Sequence, residues 1–168
     1  SNFIVAGYGI DSSKKAIEIA NKYEGLYAIV GISPNDLKNI TSYGIYQLKN
    51  DIDMIDVKWE PINFTGIFLG NGYSIKNLTV VFDDESAEYN RLFGGLFSRL
   101  TGFVDELALD DVYISYNSKN SVTVGAIAGE MTVNSRIENS YASGDIVIPG
   151  EGSSVGGLVG YMSDPHNV

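Results

Sequence analysis

Carboxylates are the residues of this chain best suited to chemistry, and they occur in short clusters. The clusters are Asp51, Asp53 and Asp56 in one segment, Asp83 to Glu85 in a second, and Asp110 with Asp111 in a third. Calcium is bound where about six to eight oxygens converge, and the alternation in the first cluster matches only the start of an EF-hand loop. Asp51, Asp53 and Asp56 are therefore the calcium candidates, and the alternative is a solvated acidic surface.

Two further carboxylates, Asp105 and Glu138, offer a different chemistry. They occupy equivalent positions in two similar segments, 104–109 and 137–142. If these segments form adjacent strands, the two residues are stacked about 4.8 Å apart. Glycosidases use two carboxyl groups about 5 to 9 Å apart, so a polysaccharide-active enzyme is an alternative function for this chain. A charged pair on an ordinary solvent-facing strand is the other interpretation.

Aromatic residues are numerous, with 11 Tyr, 7 Phe and a single Trp. The phenylalanines at repeated positions are expected in the core: Phe64, Phe68, Phe93, Phe97 and Phe103. The tyrosines expected on an outer face, where they could stack on sugars, are Tyr113, Tyr116, Tyr141 and Tyr161.

The composition excludes several classes of function. The chain has no Cys and one His, His166, so it lacks the parts for a thiolate nucleophile, a hydrolytic zinc site or a Ser-His-Asp triad. We therefore predict no catalytic residue, no metal and no cofactor. A net charge of −10 opposes nucleic-acid binding. The apolar stretch 3–10 is far shorter than the ~20 residues of a bilayer span, so no membrane insertion is expected.

Charge and pattern divide the chain into two predicted domains, 1–40 and 41–168. The first 40 residues sum to zero charge, and the remainder carries the entire −10. In the first domain, apolar runs at 3–6 and 26–32 predict buried strands, and the helical spacing between them predicts a helix over 13–24. This order is one βαβ unit.

The first domain resembles a short stretch of a known enzyme family. The segments Ile10-Asp11-Ser12-Ser13-Lys14-Lys15-Ala16-Ile17-Glu18-Ile19-Ala20 and Tyr27-Ala28-Ile29-Val30-Gly31-Ile32-Ser33-Pro34-Asn35-Asp36 are similar to a βαβ piece of the TatD metal-dependent hydrolases, which are TIM barrels. That family usually has Gly-Ile-His-Pro-His where this chain has Gly31-Ile32-Ser33-Pro34-Asn35. With both histidines replaced, the resemblance implies a hydrolase scaffold without its metal site, and a cytoplasmic setting if this fragment sets the context.

The second domain contains an internal repeat. The segments 93–98, 124–129 and 155–160 share one apolar-Gly-small-apolar-apolar-small pattern at a spacing of 31 residues. A second similarity relates 75–80, 104–109 and 137–142, and a weaker one relates 112–114 to 146–148. Three short strand-like segments in each ~30 residues favour a β-solenoid over a propeller blade. An antiparallel sandwich is the alternative, although a sandwich has no reason to repeat at a fixed period.

These segments resemble the GLUG-repeat domains of microbial surface proteins over about residues 43–162. The similarity lies in Ile45-Tyr46-Gln47-Leu48-Lys49-Asn50-Asp51-Ile52-Asp53-Met54, Trp59-Glu60-Pro61-Ile62, the stretch from Phe64 to Leu78, and Gly156-Gly157-Leu158-Val159-Gly160. The resemblance implies a right-handed parallel β-helix on a secreted or cell-surface protein, often adhesin-like. We therefore predict a mainly β, non-enzymatic structural or adhesive module whose partner is a glycan or a surface protein.

The last repeat predicts self-association. It stops at Met162 with six residues remaining, so its final turn would leave apolar side chains and strand edges uncovered. The βαβ unit presents the same problem at the other end. Both ends favour contact with another copy of the chain, against the repulsion of the −10 charge.

Overall fold

The computed structural model of the protein describes residues 3–8, 26–32, 37–40, 42, 44–83, 92–117, 120–149 and 151–163. For 3–8, 26–32 and residue 39 it describes the backbone alone. The described chain is mainly β-strand, with one short 3-10 helix, Leu37–Asn39. The predicted helix over 13–24, residues 33–36 of the segment that resembles TatD hydrolases, the acidic residues 84 and 85, and His166 lie outside the described residues.

Two strands precede the repeats, and four repeats follow. The first strands are β1 (Phe3–Tyr8) and β2 (Leu26–Ile32). Repeat 1, residues 45–64, holds β3 (Ile45–Leu48), β4 (Ile52–Asp53) and β5 (Ile62–Phe64). Repeat 2, residues 67–100, holds β6 (Ile67–Leu69), β7 (Ser74–Lys76), β8 (Thr79–Asp83), β9 (Leu92–Gly94) and β10 (Phe97–Leu100). Repeat 3, residues 103–131, holds β11 (Phe103–Asp105), β12 (Ala108–Asn117), β13 (Val122–Val124) and β14 (Ala128–Met131). Repeat 4, residues 136–162, holds β15 (Arg136–Glu138), β16 (Tyr141–Val147), β17 (Ser154–Val155) and β18 (Val159–Met162).

Repeats 2, 3 and 4 each add strands to the same four sheets, and repeat 1 adds a strand to three of them. Sheet A has the order β1-β2-β3-β6-β11-β15, and sheet B the order β4-β7-β12-β16, with β8 also beside β12. Sheet C has the order β5-β10-β14-β18, and sheet D the order β9-β13-β17. Every pairing between the described strands is parallel. The prediction of a mainly β fold is confirmed, and the antiparallel sandwich is wrong.

The 31-residue spacing is a hydrogen-bonding register in sheet C. Phe97 lies beside Ala128, which lies beside Val159. In sheet A, Val104 pairs with Ile137 and Asp105 with Glu138, as the second similarity predicts.

Two of the predicted alignments between repeats are wrong. The first matched Ile75 with Val104, but Val104 pairs with Phe68 in sheet A and Ile75 pairs with Leu109 in sheet B. The chain turns a corner at Asn71 before it reaches Ile75, so the two residues lie in different sheets. In sheet B, Ile146 of β16 pairs with Ile114, two residues from the aligned Val112, and a register shift between Leu109 and Val112 accounts for one of these two residues.

The corners between sheets use left-handed backbone. Glu106 (φ 50°) and Asn139 (φ 47°) directly follow the paired residues Asp105 and Glu138, so the same corner recurs in consecutive repeats. Asn and Asp tolerate this conformation better than other non-glycine residues, which explains their frequency between the strands.

The core is an aromatic and aliphatic column inside the sheets. Phe64, Phe68 and Phe97 are fully buried, and the rings of Phe64 and Phe97 from neighbouring repeats stack with centroids 4.6 Å apart. Trp59 is also buried, and its Nε1 donates to the carbonyl of Leu96 at 2.8 Å. Thus three of the five phenylalanines predicted in the core lie there.

The other two, Phe93 and Phe103, are half-buried. The guanidinium groups of Arg99 and Arg136 lie 5.5 and 5.9 Å from their ring centroids. These rings therefore lie partly in solvent with a cation above them.

Sheet A continues across the predicted domain junction. β1 and β2 pair in parallel, as predicted for the first and last parts of a βαβ unit, and β2 then pairs with β3 from Ile29–Ile45 to Ile32–Leu48. The edge of repeat 1 in sheet A is therefore covered. Among the described residues, no helix has the length and apolar character needed to cross a bilayer.

Candidate functional site

A polar groove lies across all four repeats where sheet B meets its preceding corner. It encloses about 560 Å³. The polar residues that line it are Asp51 of repeat 1, Asn71, Ser74 and Lys76 of repeat 2, Glu106 and Asp110 of repeat 3, and Asn139 and Tyr141 of repeat 4. Three candidates from the sequence, Asp51, Asp110 and Tyr141, are thereby brought to one surface.

The pleat of sheet B places these side chains on one face. Ser74 and Lys76 flank the fully buried Ile75 in β7, and Ala108 and Asp110 flank the fully buried Leu109 in β12. Because successive side chains point to opposite faces, burial of the central residue turns its neighbours toward the groove. The register then places Lys76 beside Asp110 on the adjacent strand.

Asp51 is held by repeat 2. Its Oδ2 is 2.7 Å from the Lys76 ammonium, and its Oδ1 accepts the backbone N–H of Ser74 at 3.0 Å. The hydrogen bond from Lys76 and the backbone bond from Ser74 lower the pKa of Asp51 below its usual value. The same hydrogen bond raises the pKa of Lys76, so both groups are charged at neutral pH.

The other two calcium candidates do not join Asp51. Asp53 accepts Nδ2 of Asn77 at 2.7 Å and the backbone N–H of Ile55 at 3.0 Å, and these bonds lower its pKa. Asp56 occupies an exposed turn at φ 59°. Within the described part of the chain, no three acidic or histidine side chains are grouped in a way that could hold a metal.

Tyr141 is the aromatic residue of the groove. Its side chain is 56% exposed, and a hydrogen bond to Asp110 is the main cause that raises its pKa. Tyr113 and Tyr161 are also exposed, as predicted, but neither lines the groove.

The prediction that Tyr116 lies on the outer face is wrong. Tyr116 is 4% exposed, its ring stacks on Phe82 at 5.5 Å, and burial raises its pKa to about 12. Its hydroxyl donates to the carbonyl of Phe93 at 3.4 Å. The reason is strand parity, because Tyr116 is two residues from the buried Ile114 and so points the same way.

The pair Asp105 and Glu138 is adjacent in register, as predicted, but lies outside the groove lining. Asp105 accepts Nδ2 of Asn139 at 2.9 Å, and Glu138 forms an ion pair with Arg136. Asp105 is therefore bonded to the neighbouring repeat, and Glu138 is paired within its own strand.

Sequence reasoning missed five groove residues: Asn71, Ser74, Lys76, Glu106 and Asn139. A signal existed for two of them, since Glu106 and Asn139 follow the repeated carboxylate positions that were identified. Asn71, Ser74 and Lys76 required knowledge that β7, rather than β6, lies beside β4.

The groove combines donors, acceptors and a ring within one surface. Lys76 supplies donors, Asp51, Glu106 and Asp110 supply acceptors, and Tyr141 supplies an exposed aromatic face. Hydroxyl groups both donate and accept, so a polyhydroxylated ligand matches this arrangement. No protein-family model, curated protein or solved structure matches the chain.

Proposed function

We propose that this protein is a non-enzymatic β-solenoid module that binds glycan through its polar groove. The solenoid interpretation is supported by sheets that each gain a parallel strand at about every thirtieth residue. Its right-handed β-helix form and its place on a secreted or cell-surface protein follow from the resemblance to GLUG repeats. In this proposal, β1 and β2 extend sheet A as a scaffold without the metal ligands of TatD hydrolases.

The observation that carries the proposal is the position of Tyr141 in the groove. An exposed ring beside a row of charged and amide side chains can cover the apolar face of a sugar, while the polar row bonds its hydroxyl groups. Because the row crosses four repeats, it suits a chain of sugar units better than a single one.

Charge narrows the class of glycan. Asp51, Glu106 and Asp110 exceed Lys76 by two negative charges in the groove, and the chain as a whole carries −10. Anionic polysaccharides are repelled by this field, so neutral and amino-sugar glycans are the proposed ligands.

Binding rather than hydrolysis is proposed because the carboxylate pair is already occupied. Asp105 is bonded to Asn139 and Glu138 to Arg136, and neither faces the groove. A glycan depolymerisation screen tests this point. If the intact chain degrades a polysaccharide and Asp105→Asn or Glu138→Gln abolishes the activity, the polysaccharide-active enzyme replaces the binding module.

The binding proposal is tested by titrating the full chain with neutral, amino-sugar and uronic-acid oligosaccharides in a calorimeter. Tyr141→Ala is expected to weaken binding at least tenfold, whereas Tyr113→Ala removes another exposed tyrosine, which lies outside the groove, and leaves affinity unchanged. Equal loss in both variants, stronger binding of the uronic acids, or no binding by any oligosaccharide would overturn it.

A further inference from the structure

The corner between β6 and β7 carries the one Asn-Gly pair of the sequence, Asn71-Gly72. Asn71 has φ 53° and Gly72 has φ 74°, and the N–H of Tyr73 donates to the carbonyl of Gly70 at 3.0 Å. Two consecutive positive φ angles closed by this bond define a type I′ β-turn, in which Asn and Gly are the favoured central residues. The backbone conformation of the corner therefore accounts for the pair.

Asn-Gly is also the sequence in which asparagine loses its amide most readily. The backbone nitrogen of the next residue attacks the side-chain carbon Cγ, and glycine hinders this attack least because it has no Cβ. At Gly72 an added Cβ would have no atom within 4 Å, and the residues from Asn71 to Tyr73 are exposed. The corner is therefore open to water, which is the second reactant.

The reaction has two steps and needs only water. The N–H of Gly72 gives up its proton, its nitrogen forms a bond to Cγ of Asn71, and the bond from Cγ to Nδ2 breaks, so that ammonia leaves with that proton. Water then adds to one of the two carbonyl carbons of the succinimide ring and opens it to aspartate or isoaspartate. No atom is oxidised or reduced.

The stacked repeats hold both reacting groups. Nδ2 of Asn71, in the leaving group, donates to the carbonyl of Leu48 in repeat 1 at 3.1 Å. The N–H of Gly72, the nucleophile, donates to the carbonyl of Glu106 in repeat 3 at 3.3 Å. A hydrogen-bonded N–H retains its proton, and the bond to Leu48 restrains the rotation of the Asn71 side chain. Attack on Cγ therefore requires the corner to separate first from a neighbouring repeat.

The corner has the features of a segment that opens locally. Its residues 71–73 are exposed, whereas Gly70 and Ser74 on either side are buried. Its bond to repeat 3 is long at 3.3 Å, and surface backbone bonds open at a lower free-energy cost than those of the core. Opening can thus be confined to the turn while β6 and β7 stay in their sheets.

We propose that Asn71-Gly72 is a deamidation site that the stacking of repeats 1, 2 and 3 keeps unreactive and that local opening of the corner activates. The product carboxylate cannot donate to the carbonyl of Leu48, and it adds one negative charge to the groove that Asn71 lines. Isoaspartate also adds an atom to the main chain inside a tight turn. No step restores the amide, so converted chains accumulate as the corner opens. The reaction does not depend on glycan binding.

Incubation of the full chain at mildly alkaline pH, with and without an unfolding concentration of urea, tests the proposal. Peptide mass mapping, with chromatographic separation of aspartate from isoaspartate, gives the rate at each asparagine. In urea, Asn71 is expected to convert at least tenfold faster than the other asparagines with left-handed backbone, which no glycine follows: Asn77, Asn134 and Asn139. Without urea, conversion at Asn71 is expected to be at least tenfold slower than in urea.

Gly72→Ala checks the chemistry. Measured in urea, where folding has no influence, this variant is expected to slow conversion at Asn71 at least tenfold, because the added Cβ hinders attack by the backbone nitrogen.

A variant outside the turn tests the protection by stacking. Asp51 of repeat 1 accepts the N–H of Ser74 and pairs with Lys76, so Asp51→Ala loosens repeat 1 from the strand that follows the corner. Several-fold faster conversion at Asn71 is expected without urea, and an unchanged rate in urea. Asp145→Ala is the matched control, since it removes an exposed carboxylate two repeats away and leaves both rates unchanged. Circular dichroism checks that each variant keeps its strand content.

Three outcomes would overturn the proposal. These are equal rates at Asn71 with and without urea, conversion in urea no faster than at the other three asparagines, and no acceleration by Asp51→Ala beyond that by Asp145→Ala. None of these measurements involves a glycan, so failure of the deamidation site and failure of the proposed function are distinguishable.

Discussion

Repeats 3 and 4 have the same motif and different environments. Val124-Gly125-Ala126-Ile127-Ala128 and Val155-Gly156-Gly157-Leu158-Val159 are aligned in the strand register, yet the apolar residues are buried in the first and half-buried or exposed in the second. The pattern of a repeat therefore specifies where a side chain points. How much free energy that side chain contributes depends on whether a further layer covers it.

The largest expected difference between the repeats is in the cost of truncating an equivalent apolar residue. Ile127→Ala empties a fully buried position and is expected to lower the free energy of unfolding by about 3 kcal/mol. Leu158→Ala changes a half-buried position and is expected to cost about 1 kcal/mol. Urea unfolding followed by circular dichroism measures both, at a concentration and salt where the chain is monomeric. Equal costs would show that repeat 4 is covered.

Glycine substitutions sharpen the comparison at the backbone. A Cβ at Gly125 would lie 2.5 Å from Cα of Val159, so Gly125→Ala must push repeat 4 away and is expected to cost about 2 kcal/mol. Gly157 has no atom within 4 Å of such a Cβ, and repeat 3 already has Ala126 at the equivalent position.

Gly157→Ala is therefore the matched control. It is expected to be neutral or to stabilise by about 0.5 kcal/mol through the unfolded state. Thermal unfolding of the two variants in parallel gives the result. A large loss in Gly157→Ala would mean that another surface packs against repeat 4.

Tyr116 of repeat 3 and Tyr141 of repeat 4 are expected to affect stability differently at high pH. Burial raises the pKa of Tyr116 to about 12, above the ~10 of an unfolded tyrosine, so its contribution to stability is complete below pH 10 and is lost as pH rises toward 12. Tyr116→Phe is expected to remove most of this loss, which is on the order of 2 kcal/mol. Unfolding midpoints between pH 9 and 12 provide the measurement.

Tyr141→Phe is the comparison for that experiment. The pKa of Tyr141 is also raised, through Asp110, but its side chain is exposed, so the variant is expected to keep nearly the wild-type pH profile. If Tyr141→Phe flattened the profile and Tyr116→Phe did not, the assignment of the buried and exposed tyrosines would be reversed.

Much of the fold was predictable from periodicity. The spacing of 31 residues is the register of sheet C, and the pairing of Asp105 with Glu138 follows from the same comparison. Periodicity does not predict how many corners the chain makes inside a repeat. Ile75 and Val104 lie in segments of similar sequence but in different sheets, because the chain passes from one sheet to the next at each corner.

The candidate site was predictable only in part, for a related reason. Tyr141, Asp51 and Asp110 were identified from the sequence one by one, but recognising a groove formed by four repeats requires the register of every strand in sheet B. Tyr116 could have been excluded, since alternation from the apolar residues Val112 and Ile114 points it inward. As a tyrosine, Tyr116 was a candidate for stacking on sugars, but its position in the alternation of β12 places it in the interior.

The smallest expected effect concerns carboxylates in the first and last of the four described repeats. Asp51 bridges repeats 1 and 2 through Lys76 and Ser74, and these bonds lower its pKa, so its contribution to stability is present above pH ~4 and is lost as pH falls through the lowered value. Because the pair is exposed, the effect is small and is weakened further by salt.

Asp51→Asn is expected to reduce slightly the loss of stability between pH 5 and 2 at low salt. Asp145→Asn, on the outer repeat, is expected to leave that loss unchanged. Acid unfolding at two salt concentrations distinguishes them, and a larger effect from Asp145→Asn would indicate that the outer repeat has an acidic contact with another copy or ligand.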